Sequence, residues 1–159
     1  MLKAAVPYDG WSSLLRPGVR KVFVELTDDD AYSSGHAFLY ELQSVAPELF
    51  DAETARPSFV FHSIVGLRAK ASPAEAYTHT EPIQHETCVS DDNTVENAGE
   101  AYQQLSQLTG GLRFPLCEFE AYDVVFSAIA EHVIRRTPAA CSFDIPPQPQ
   151  GRAVDTSNI

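Results

Sequence analysis

At 159 residues the chain has room for one domain, and 44% hydrophobic with 21% charged residues is the balance of a globular chain rather than a disordered one. Twenty-two acidic residues against 11 basic ones give a formal net charge of -11, a field that repels nucleic acid and anionic membrane surfaces and favours a cation or a basic protein surface, or serves solubility alone. No stretch approaches the roughly 20 apolar residues of a membrane span, and Met1–Pro7 lacks the charged start and apolar run of a secretory signal.

The first residues carry a short apolar pattern, Val6, Trp11, Leu14 and Leu15, that ends at the turn signal Arg16-Pro17-Gly18. Lys21-Val22-Phe23-Val24-Glu25-Leu26-Thr27 then has the β-branched and aromatic content of a strand and stops abruptly at Asp28. Phe38, Leu42, Val45 and Leu49 recur at spacings of four, three and four, which predicts an amphipathic helix over about Ser33–Phe50, kinked or cut short by Pro47. Ser58 to Gly66 is an almost continuous apolar run, as expected of a strand covered on both faces in a parallel sheet.

Leu67 to Val95 has no clear period and is rich in Pro, Thr, His, Glu and Asp, so it reads as a long irregular connection. A second helix is predicted from about Ala98 to Leu108, presenting Ala101, Tyr102, Leu105 and Leu108, with Thr109-Gly110-Gly111 as its stop. A short strand, Leu112 to Cys117, follows. The third helix, about Glu120 to Arg135, shows Tyr122, Val125, Phe126, Ile129 and Val133 on one face and places Arg135 and Arg136 where a helix C-terminus favours positive charge. Cys141 to Pro147 is a last patterned segment, and residues 148–159 read as a flexible tail. The alternation of strand and helix predicts an α/β domain with parallel strands. Three strands are few for a sheet with helices on both faces, so a further strand from this chain or another is expected.

Chemistry concentrates at Thr27-Asp28-Asp29-Asp30, directly after the first strand. Open α/β sheets bind ligands beyond the carboxyl ends of their strands, and carboxylates with a hydroxyl suit a hard cation such as Mg²⁺. Successive side chains on an extended segment point to opposite sides, so at most two of the three acids share one ion. The competing role is capping, since Asp at a strand-to-helix turn satisfies free helix amides. His62 reads as a hydrogen-bonded core residue, and His79 and His85, near Glu81 and Glu86, as solvated loop or a weak metal site. Cys88, Cys117 and Cys141 show no zinc spacing and are either reduced thiols or one disulfide plus a leftover thiol. No nucleophile elbow, P-loop or dinucleotide fingerprint occurs.

The run Val22 to Asp29 into Thr-Asp resembles the fourth strand and following turn of von Willebrand factor type A domains. Phe59 to Gly66 is similar to that family's fifth strand, Leu105-Ser106-Gln107-Leu108-Thr109-Gly110-Gly111 to its segment leading into the sixth strand, and Tyr122 to Ile134 to its closing helix. The resemblance spans about Leu14 to Pro147 and is nearest to bacterial secreted or lipoprotein members. It implies a Rossmann-like three-layer fold over residues 1–147, a parallel sheet of about three strands, and a module that binds protein partners at a metal-ion-dependent adhesion site. Within that site it implies Asp28 as a Mg²⁺ ligand, with Thr27 and Asp29 as weaker candidates. It further implies a Cys88–Cys117 disulfide and an extracytoplasmic location. The family's Asp-x-Ser-x-Ser motif does not occur here, so the resemblance is to a C-terminal half-domain whose remaining ligands, or a second chain, would complete sheet and site.

Two other readings stand beside it. One is a structural or degenerate domain without ligand binding. The other is a phosphatase similar to haloacid dehalogenases, with Asp28 as nucleophile and Asp30 as acid, although Tyr32 stands where that family has Thr.

Overall fold

The computed structural model describes residues 15–16, 18–50, 58–89 and 95–136. The apolar pattern before Leu15, Cys141 and the tail 148–159 therefore lie outside the described residues.

The chain forms an α/β fold with a three-stranded, all-parallel sheet in the order β1 (Lys21–Leu26), β2 (Phe59–Val65), β3 (Arg113–Pro115). Every residue of β2 is buried, which is the physical meaning of its almost continuous apolar run: it is the central strand, covered on both faces. Its register aligns Phe23 with Phe61, Val24 with His62 and Ile64 with Phe114. Residues of one parity thus face one helix layer and those of the other parity face the second.

On the first face, Phe59 and Phe61 of β2 pack with Leu42, Ala46, Leu49, Phe50 and Leu105, joined by Phe23 and Tyr102. Phe23 comes from β1 and Ala46 joins two helices; the other partners of β2 come from α1 (Gly35–Val45), α2 (Pro47–Phe50) and α3 (Glu100–Thr109). On the second face, Ile64 and Phe114 pack with Leu116, Val125 and Ile129. The last two belong to α4 (Tyr122–Arg136), entered through a 3₁₀ turn at Phe119–Ala121.

The helix expected over Ser33–Phe50 is two helices. Ser34 caps α1 by accepting from the Ala37 N–H, and α1 ends at Ala46, whose φ of -143° leaves the helical region. Pro47 then opens α2, at the position where a missing N–H costs nothing. The break turns Val45 out to solvent and puts Ala46 into the core in its place.

In α3 the buried face is Gln103, Leu105, Ser106 and Thr109 rather than the expected apolar set. Polar residues sit inside because each has a partner: Ser106 Oγ donates to Ser63 Oγ at 3.0 Å, Gln103 Nε2 donates to the Ala98 and Gln84 carbonyls, and Thr109 Oγ1 donates to the Leu105 carbonyl while accepting from the Phe61 N–H at 2.9 Å. Gly110, at φ 75°, ends the helix in the left-handed conformation that its sequence context implied.

The connection from Leu67 to Val89 is irregular as expected but firmly tied down. Arg113 is wholly buried, and its guanidinium donates to the carbonyls of Thr78 (2.6 Å), Glu81 (2.7 Å) and Pro82 (3.0 Å). Tyr77 pairs with Arg113 in an antiparallel bridge, and Lys70 holds Glu81 at 2.6 Å. Cys88 and Cys117 form a disulfide, with an S–S distance of 2.00 Å, that fastens the end of this connection to the segment after β3.

Candidate functional site

β1 delivers Thr27–Asp30 to the carboxyl edge of the sheet. Thr27 is the last residue tied to it, its N–H donating to the Ile64 carbonyl at 3.2 Å. Beyond that point short side chains hold the backbone turn. Thr27 Oγ1 accepts from the Asp29 N–H at 3.2 Å, Asp29 Oδ1 from the Asp30 N–H at 2.7 Å, and Asp30 Oδ1 from the Ala31 N–H at 2.8 Å. This local bonding is what favours Asp and Thr in turns.

Two long-range bonds then distinguish the three acids. Asp30 Oδ1 also accepts from the Ala101 N–H in the first turn of α3, at 3.0 Å, and so satisfies one of the free amides at that helix start. Capping is therefore real at this cluster, but it serves α3, 71 residues away, while Ser34 caps the helix that follows directly. Asp29 Oδ1 accepts from Asn97 Nδ2 at 2.9 Å. This bond, with the Asp30 N–H, holds the Asp29 carboxyl below the usual carboxylate range. Asp28 is exposed, and among the described residues no hydrogen bond reaches its carboxylate.

Asn97 had no signal in the sequence, because only the fold brings it beside Asp29. Its Oδ1 accepts from the Gly99 N–H at 3.2 Å, so the residue that positions Asp29 is itself positioned. Gly99 is left-handed, with φ 63°, and lies against Val65, leaving no room for a Cβ. Behind the rim lies an apolar cavity of about 30 Å³ lined by Gly35, Phe38, Phe61, Tyr102 and Leu105 among others, the space of a water molecule rather than of an organic ligand.

Divalent cations take six or more oxygen ligands, only some of them water. Among the described residues no group of three or more His, Cys, Asp or Glu side chains is placed to hold a metal ion. Thr27, Asp28 and Asp29 share the rim, with Asp28 free and Asp29 partly engaged.

The histidines divide as their surroundings dictate. His62 is wholly buried on β2, where Nδ1 accepts from the Leu112 N–H at 3.0 Å, so the neutral ring carries its proton on Nε2. The His132 ring lies edge-on at 5.2 Å. Burial, reinforced by His132, Arg136 and Arg20, lowers the His62 pKa to about 4. His85 Nδ1 lies 2.6 Å from Glu100, Glu86 pairs with Arg68 at 2.8 Å and Glu81 with Lys70. His85, Glu86 and Glu81 thus take separate partners instead of forming one cluster.

No protein-family model, no curated protein and no solved structure matches this chain.

Proposed function

We propose that the chain is a protein-binding module related to von Willebrand factor type A domains, which meets its partner through the acidic rim at the carboxyl edge of the parallel sheet. The observation that carries this reading is the arrangement at the end of β1: Asp28 is exposed, Asp29 is exposed and oriented by Asn97, and both stand where α/β sheets receive ligands. The net charge of -11 favours a basic partner surface and speeds its encounter. A disulfide suits an oxidising, extracytoplasmic setting. In a longer parent that supplied the missing Asp-x-Ser-x-Ser ligands, Asp28 would add its carboxylate to a shared Mg²⁺, with Thr27 and Asp29 beside it.

The test is an NMR titration of the full chain with a lysine-rich peptide, followed by one with Mg²⁺ alone. The reading expects saturable shifts centred on Thr27–Asp30 and Asn97, abolished by Asp28→Asn with Asp29→Asn. Shifts spread evenly over the acidic surface would overturn it. The second reading, a structural domain without a ligand, is favoured by the consumption of Asp30 and partial use of Asp29 in holding the fold together. It expects loss of stability but no loss of binding on substituting these acids. The phosphatase reading requires Asp30 to act as an acid, whereas its carboxylate accepts two backbone amides. Hydrolysis of a generic phosphate ester, abolished by Asp28→Asn, would be needed to support it.

A further inference from the structure

The two edges of the sheet are finished differently. On the outer side of β3, Tyr77 and Arg113 exchange backbone N–H···O bonds of 2.9 and 3.0 Å, so the 67–89 connection covers that edge. On β1, the N–H groups of Lys21 and Thr27 donate to Ser58 and Ile64. The backbone groups of Val22, Val24 and Leu26, being of the opposite parity, therefore point away from β2. No described strand lies on that side. An edge of this kind is a template for another strand.

The side chains of β1 match that edge. α4 covers the β2 and β3 part of its face and leaves Val22, Val24 and Leu26 at 42%, 42% and 49% exposure. A cavity of about 220 Å³ lies at the start of the strand, lined by Val19, Arg20, Lys21, Val22 and Phe23 among others. On the opposite face the same strand carries Lys21 and Glu25. The Lys21 ammonium is buried and donates to the Leu49 carbonyl at 2.6 Å, which uses one of its three protons. Glu25 is half-buried and enters no salt bridge among the described residues.

We propose that β1 pairs antiparallel with β1 of a second copy of this chain, about a two-fold axis at Phe23. The contact is isologous, so each feature is met twice. Centred on Phe23, the pairing sets Val22 against the second copy's Val24 and Lys21 against its Glu25, and joins the outward backbone groups in one ladder. Centred on Val24 instead, Lys21 would meet Thr27 and Glu25 would meet Phe23, leaving both charges unmatched. Charge complementarity therefore selects the register. The inference is independent of the acidic rim and of any metal.

Sedimentation of the full chain across micromolar concentrations tests it, with a species of twice the 17.5 kDa chain mass expected. Val24→Lys, at an exposed position, is expected to give a monomer with an unchanged far-UV circular dichroism spectrum. Glu25→Lys sets like charges opposite each other twice and is expected to weaken the dimer by roughly tenfold or more. Adding Lys21→Glu to that variant is expected to restore it. Should the double variant fail to fold, Glu25→Gln supplies the same arm, with a smaller weakening expected. A monomeric wild type, or a dimer indifferent to Val24→Lys and Glu25→Lys, would overturn the proposal; in the monomeric case, destabilisation by Val24→Lys would point to this chain's own residues as the occupant.

Discussion

Single polar side chains decide how this core closes. Thr109 Oγ1 is the acceptor for the Phe61 N–H, standing in for a strand at a level of β2 that lies before β3 begins. Thr109→Val leaves that buried amide without a partner and is expected to cost about 1–3 kcal/mol in chemical denaturation, while Thr109→Ser retains most of the stability. His62 gives a pH dependence with a definite sign. Its folded pKa of about 4 lies below the ordinary value of 6.5, so between those limits the unfolded chain binds the extra proton. Stability from this group is complete above the unfolded value and falls as pH drops from about 6.5 to 4, by up to about 3 kcal/mol. Acidification also relieves carboxylate repulsion, so the contribution is read as the difference between wild type and His62→Gln across that window. Equal slopes for the two proteins would contradict it. Asn97→Ala removes the largest cause of the lowered Asp29 pKa and is expected to raise it in a carboxylate NMR titration. The burial of His62 was legible in the sequence; its ring contact with His132 was not, because 70 residues separate them in the chain.

Among the elements, those with strong period or strong punctuation emerged as read. β1, β2, the Gly110 stop and the bulk of α4 follow from composition and spacing, and Pro47 divides α1 from α2 where proline must. The faces of α3 were not legible, because Gln103, Ser106 and Thr109 are inside only by virtue of acceptors and donors on β2 and the 78–84 stretch. The same holds for the Leu67–Val89 connection, whose order comes from Arg113 and from the Cys88–Cys117 disulfide. A sequence separation of 29 residues gives a loop whose closure stabilises by on the order of 3–4 kcal/mol. Reduction, or Cys88→Ala with Cys117→Ala, is therefore expected to lower the midpoint of unfolding. Hydrogen exchange is expected to quicken in residues 67–89 first, while the β1–β2 ladder keeps its protection. Gly111→Ala is expected to be severely destabilising by the same measurement, since a Cβ there would fall on the Phe61 carbonyl.

At the scale of the whole molecule, an excess of 11 negative charges makes self-repulsion part of the stability balance. Moderate NaCl is expected to raise the melting temperature at pH 7 by screening it. A salt-independent melting temperature would show that the acids are dispersed enough not to oppose folding. Among the described residues, three helices lie on one face of a three-stranded sheet and one on the other. That imbalance exposes the outer face of β1 and leaves its rim residues, Asp28 and Asp29, accessible.

Local physics in the sequence was enough to determine the class of the fold. A nearly all-apolar run reads as a central strand, an abrupt polar stop ends β1, and glycines and a proline punctuate the helices. It also placed Thr27–Asp30 at a strand's carboxyl end. What each of those acids does was decided only by the tertiary structure. Asp30 was committed to α3 and Asp29 to Asn97 by contacts about 70 residues distant in the chain, while Asp28 stays exposed. Hydrogen bonds of that kind have no periodicity and no local signature, since they depend on which segments the packed sheet happens to bring within 3 Å of each other.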